Sequence, residues 1–146
     1  MLNDMLIALY DKILRVEEDF LRGGSGDGIS IREMHTIEYI GKSGSKGRTL
    51  SDIAGFLEVA RPSVTVAVRK LEQKGMLIKS GCAMDGRVVR VTLTREGRRA
   101  YMHHMRFHAL MVSELDSELG DDEKNTLINA ISKLDRFFEK SIEATR

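Results

Sequence analysis

Between residues 61 and 106 the sequence gathers 11 Lys and Arg against 3 Asp and Glu, a local balance of +8 in a chain whose total is +1. Residues 1–60 carry 7 against 10, and residues 107–146 carry 5 against 9. A basic segment between two acidic ones suits a polyanion, nucleic acid above all. Within it, Val64, Val68 and Leu71 recur at the spacing of a helix core face. That leaves Arg61, Pro62, Ser63, Thr65, Val66, Arg69 and Lys70 outside. Short hydroxyls near the start of such a helix can meet base edges or phosphates, and Val66 can touch a thymine methyl. Thr49 and Ser51, at the start of the preceding helical segment, add hydroxyls for the backbone. Lys74 and Lys79 flank the face and would neutralise phosphate. Further on, Met84-Asp85-Gly86-Arg87 reads as a hairpin tip. Arg87 there could enter a narrow minor groove, where negative potential is enhanced, with Asp85 bracing it and Arg90 beside it on the strand.

Other chemistry is sparse. Gly23-Gly24-Ser25-Gly26 follows a helical pattern, not a strand, and lacks the Lys-Ser/Thr ending of a phosphate loop. No Ser-His-Asp spacing suggests a nucleophile site, so the chain does not read as an enzyme. His104 and His108 are spaced i, i+4 and could share a metal on one helix face, but the sequence offers no obvious third ligand and no cofactor motif. Cys82, the single cysteine, reads as a passive thiol and fits a reducing cytoplasm.

The elements that must position the basic face follow from periodicity and punctuation. Leu2, Leu6, Leu9, Ile13, Val16 and Phe20 step by threes and fours as an opening helix, closed by the glycine-rich stretch from Gly23. Ser30 with Glu33 makes a capping box for a second helix reaching Gly41 or Gly44. Thr49 caps a third, carrying Leu50, Ile53, Ala54 and Leu57. Pro62 suits the first turn of a fourth, and Gly75 supplies its stop. Leu77 and Ile78 start a strand, and Val89, Val91 and Leu93 alternate with Arg90 and Thr92 on its return. Thr94 caps a fifth helix to about Leu119, and Asp121-Asp122-Glu123 open a sixth with its stripe at Leu127, Ile131, Leu134, Phe138 and Ile142. The expected fold is mainly α: a winged helix-turn-helix of about six helices plus a β-hairpin wing. At 146 residues, 42% hydrophobic and 31% charged, the chain reads as one unit over 1–146. A DNA-binding core would span 30–98, with dimerisation helices at 1–22 and 99–146. No apolar run is long enough for a membrane span.

Thr49-Leu50-Ser51-Asp52-Ile53-Ala54, Val64-Thr65, Leu71-Glu72-Gln73-Lys74-Gly75-Met76-Leu77, Asp85-x-Arg87 and Leu93-Thr94-Arg95-Glu96-Gly97 together resemble the MarR regulators. The family's wing often reads Asp-Arg-Arg, whereas position 86 here is Gly, so this wing has one cation fewer. Three segments outside the stretch 49–97 are similar to the branch of the family that represses fatty-acid biosynthesis genes: residues 16–23, 29–42 and 106–108. The resemblance implies a repressor with long-chain acyl-acyl carrier protein as corepressor. Met34, His35, Ile37, Met105, His108 and Met111 are then the candidate effector residues; the chain's 8 Met suit an alkyl ligand, though they suit core packing equally. Arg95, Arg98, Arg99 and Arg106 are candidate landing residues for an acidic carrier.

The surplus apolar faces of the first, fifth and sixth helices predict a homodimer. Its two recognition helices would read a palindromic site with half-sites ~34–36 Å apart. Rival readings stay open on the residues alone: release by a small aromatic ligand, a metal-responsive regulator, or a helical module binding acyl carrier protein without DNA. The +8 segment argues against the last.

Overall fold

Two capping boxes fix the starts of the second and third helices. Ser30 Oγ accepts from the Glu33 amide (3.2 Å) while Glu33 Oε2 accepts from the Ser30 amide (2.9 Å). Thr49 and Asp52 repeat the arrangement at 3.1 and 2.8 Å. Each box satisfies two amides that a helix start leaves without partners. The computed structural model describes residues 1–24, 28–81 and 88–145. The wing-tip candidates Asp85 and Arg87, and Cys82, lie outside the described residues.

In order, the elements are α1 (Leu2–Arg22), α2 (Ile31–Gly41), a 3₁₀ turn at Gly44–Lys46, β1 (Arg48–Thr49), α3 (Leu50–Leu57), α4 (Arg61–Gln73), β2 (Leu77–Gly81), β3 (Val89–Leu93), α5 (Arg95–Glu118) and α6 (Asp121–Ala144). The predicted helices stand within a residue or two of these bounds. Glu58, in the left-handed region at φ 53°, turns the chain between α3 and α4, and Pro62 lies in the first turn of α4. β3 is the centre of an antiparallel sheet in the order β1-β3-β2, with Leu77 opposite Leu93 and Arg48 opposite Val91. β1 was not legible in the sequence, because two residues cannot show an alternation.

Residues 1–107 and 108–146 form two compact units, the boundary falling within α5. In the first, Met34, Ile37, Ile40, Ile53, Val64, Val68, Leu71 and Val91 are almost wholly buried and bring α2, α3, α4 and the sheet together. Each such aliphatic side chain contributes about 1.5–3 kcal/mol. Gly75, at φ +72°, ends α4 in a conformation that costs other residues more. The start of α5 packs so tightly that a Cβ on Gly97 would stand 2.0 Å from the Met76 carbonyl oxygen. Thr94 caps this helix, its hydroxyl accepting from the Gly97 amide at 3.0 Å.

The opening helix differs from a simple amphipathic reading. Its predicted stripe of Leu2, Leu6, Leu9, Ile13 and Val16 is exposed, while Glu17 and Leu21 are the residues α1 buries. In the second unit, Lys124 pairs with Asp116 at 3.2 Å, and Leu127, Ile131, Leu134, Phe138 and Ile142 are exposed along α6.

Candidate nucleic-acid interface

α4 divides as its sequence predicts. Val64, Val68 and Leu71 are buried, and Arg61, Pro62, Ser63, Thr65, Val66, Arg69 and Lys70 are exposed. Val66 keeps 69% of its surface. An apolar side chain in that position can meet a thymine methyl in the major groove. Ser51 is exposed on α3. Thr49 is half-buried, and its hydroxyl is taken by the cap of α3. The Thr49 backbone N–H and then its side chain hold the Asp52 carboxyl below its ordinary range. Thr65 donates to the Arg61 carbonyl at 3.2 Å, within the helix, leaving its methyl and oxygen lone pairs outward.

The flanking cations have partners. Lys79 pairs with Glu72 at 2.6 Å, and Arg90, half-buried on β3, donates to the Lys46 carbonyl at 3.4 Å. Lys74 donates to Glu33 Oε2 at 2.7 Å and to the Gly28 carbonyl at 2.6 Å, while Lys70 reaches Glu33 Oε1 at 3.2 Å. Glu33 is therefore a clamp between the start of α2 and the end of α4. Burial would raise its carboxyl, but hydrogen bonds from Lys74, the Ser30 amide and Lys70 outweigh that and lower it to about 2. In the sequence Glu33 announced itself only as part of a capping box. Nothing in a linear pattern pairs it with residues 37 and 41 positions away.

The candidate effector residues fall in both units. Met34 and Ile37 are wholly buried in the core, so an alkyl chain reaches them only by displacing core side chains. Met105 is half-buried, His35 is exposed, and His108 and Met111 belong to the second unit. A cavity of about 410 Å³ beside Leu21, Ile29 and Arg32, and one of about 220 Å³ between α2 and α4 at Thr36, Leu57 and Ala67, are lined by other residues. Arg95, Arg98, Arg99 and Arg106 are exposed along α5, with Arg99 turned to Glu96 at 3.3 Å.

A polar cluster lies among α1, α2 and α5, and its Glu17 and Glu38 were not signalled by the sequence. Glu17, 4% exposed, accepts at one oxygen from His35 Nε2 (3.0 Å) and His104 Nε2 (2.8 Å). Glu38 Oε2 stands 3.3 Å from the other ring nitrogen of the wholly buried His104.

Comparison with known proteins gives the same outline. Residues 29–89 match the model of the MarR family. The HTH-type transcriptional repressor MdtR of Bacillus subtilis is 26% identical over 97 residues, 66% of this chain; the chain spans about three-fifths of that relative's length (61%). Streptococcus pneumoniae FabT, solved in complex with DNA, is 34% identical with a TM-score of 0.87, over 95% of this chain and 96% of that one. The Staphylococcus aureus MepR–DNA complex shares the fold with a TM-score of 0.73 at 21% identity, over 94% and 98% of the two chains. Among the described residues no helix is long and apolar enough to cross a membrane.

Proposed function

Since this chain belongs to the MarR family, and is a DNA-binding transcriptional regulator of that type rather than an enzyme, we propose that it represses fatty-acid biosynthesis genes. It does so as a homodimer on a palindromic duplex site in the cytoplasm, with long-chain acyl-acyl carrier protein as corepressor. The observation that carries the reading is the likeness to the FabT–DNA complex over nearly the whole chain. It joins the three segments in α1, α2 and α5 that resemble the fatty-acid branch of the family. The outer face of α4 supplies base and phosphate contacts through Arg61, Ser63, Thr65, Val66, Arg69 and Lys70, with Thr49, Ser51, Lys74 and the wing residues Asp85, Arg87 and Arg90 around it. The core spans residues 30–98, and α1 with residues 99–146 pairs the protomers, covering the apolar side chains that α1 and α6 expose.

The corepressor acts by differential affinity: it must bind the DNA-competent arrangement more tightly than the alternative. Its acyl chain is read by the α2 and α5 candidates, and its acidic surface by arginines of α5. Fluorescence anisotropy on a fatty-acid-gene promoter fragment, with and without long-chain acyl-acyl carrier protein at fixed salt, is the test. Salt is held fixed because phosphate contacts make affinity steeply salt-dependent. Tighter binding with the acylated carrier, and none with the unacylated one, supports the reading. Equal binding in all three conditions removes the corepressor and leaves a regulator with another effector.

A further inference from the structure

We propose that Glu33 limits how much of the charge of Lys70 and Lys74 reaches DNA, and so restrains the part of the affinity that is independent of base sequence. The proposal rests on the reading of α4 as the helix that meets the duplex. The cations of that region fall into two groups. Among the described residues, Arg61 and Arg69 are exposed on α4 without an ion-pair partner. Lys70 and Lys74, nearer the end of the helix, share Glu33, and Lys79 on β2 is taken by Glu72 at 2.6 Å. The unpartnered cations are free to neutralise phosphate, whereas the lysines must compete with a carboxylate to do so.

Glu33 cannot travel with its lysines. Its Oε2 is held by the Ser30 amide at 2.9 Å and by Lys74 at 2.7 Å, which pins the carboxylate to the first turn of α2. Lys74 is fixed further by the Gly28 carbonyl at 2.6 Å. Oε1 is shut off from water, and the Lys70 ammonium faces it at 3.2 Å. A Lys70 that turns to a phosphate leaves this buried, charged oxygen behind, and an uncompensated buried charge is costly. The carboxyl, lowered to about 2, is ionised throughout the neutral range, so the competition is always present. Each phosphate that a cation neutralises adds about 0.9 to the salt slope, and Lys70 adds less than an unpartnered cation such as Arg69. Phosphate contacts carry no sequence information, so a carboxylate that discounts them lowers affinity for duplexes of every sequence alike.

The experiment is fluorescence anisotropy of the full chain and its variants on a random-sequence duplex and on a fatty-acid-gene promoter fragment, from about 50 to about 200 mM salt. Glu33→Gln should bind both duplexes about three- to tenfold more tightly at the lowest salt, with a salt slope steeper by about 0.5–1. A role confined to holding the fold predicts the opposite sign, because a displaced α4 binds DNA more weakly. Circular dichroism verifies that the variant is folded. Lys70→Ala decides the matter if it is not: in the unaltered chain it should remove less than half of the slope that Arg69→Ala removes. In the Glu33→Gln background Lys70→Ala should remove as much as Arg69→Ala does. An affinity unchanged or weakened in folded Glu33→Gln, or equal slope losses for Lys70→Ala and Arg69→Ala in the unaltered chain, overturns the proposal. A slope unchanged in Arg69→Ala overturns the reading of α4 itself, and the proposal with it.

Discussion

Lys74, at the end of the recognition helix, donates to Glu33 in the first turn of α2 at 2.7 Å, across 41 residues of sequence. The same carboxylate caps α2 and receives Lys70, so one side chain fixes both the start of one helix and the placement of another.

That clamp makes stability acid-sensitive. The Glu33 carboxyl is lowered from 4.5 to about 2, so its contribution is complete above the unfolded value and is lost as pH falls from 4.5 toward 2. A shift of this size corresponds to at most about 3.4 kcal/mol. Urea unfolding at pH 7 and pH 3 should show Glu33→Gln less stable at pH 7 and less changed by acid than the unaltered chain. Equal acid losses in both proteins would remove Glu33 from this role.

The contact between α5 and the loop before β2 tolerates no side chain at position 97. A Cβ there meets the Met76 carbonyl oxygen at 2.0 Å, a backbone atom that cannot swing aside. Gly97→Ala should lower stability by roughly 2–3 kcal/mol, near the upper range for overpacking. Gly55→Ala, inside α3 with nothing within 4 Å of the new methyl, should instead raise it by about 0.5–1 kcal/mol. Thermal unfolding of the pair checks the sign of each.

Charge and shape on α4 should separate in DNA binding. Arg69→Ala, removing an exposed cation, should weaken affinity for all duplexes and reduce the salt slope by about one. Val66→Ser should leave the slope alone and relax the preference for thymine at one position of the site, by about 1 kcal/mol. Anisotropy titrations across a salt series on matched and base-substituted duplexes distinguish the two. An unchanged slope in Arg69→Ala would take that residue off the phosphate backbone.

The exposed stripe on α6 should hold two protomers together. Ile131→Glu places a charge where 55% of an isoleucine is exposed on the single chain, a change that costs little unless a partner covers it. Sedimentation velocity should report a dimer for the unaltered chain and a monomer for the variant, with operator affinity falling alongside. Equal sedimentation coefficients would move the interface elsewhere.

Much of the architecture was legible in the linear pattern, because helix caps and apolar periodicity are local properties. Ser30 with Glu33, Thr49 with Asp52, Pro62, Gly75 and Thr94 each act within about one turn, and each stands where its residue type predicts. The outer face of α4 was readable for the same reason: Val64, Val68 and Leu71 mark the inside, and the remainder must face out.

What the sequence could not express were meetings between distant segments. Glu17 follows the apolar stripe in sequence, and α1 turns it inward to His35 and His104 while leaving Leu9 and Ile13 exposed. Glu33 looked complete as a cap, yet it also receives two lysines from α4. Met34 and Ile37 suited a ligand wall and core packing alike, and their complete burial appears only in three dimensions. A side chain's neighbours along a helix follow from the period of the backbone, whereas its neighbours across helices follow from packing that minimises exposed apolar surface and pairs buried polar groups. Sequence by itself thus determined the helices, the paired strands and the exposed face of α4; only the tertiary structure decided which carboxylates hold that helix in place.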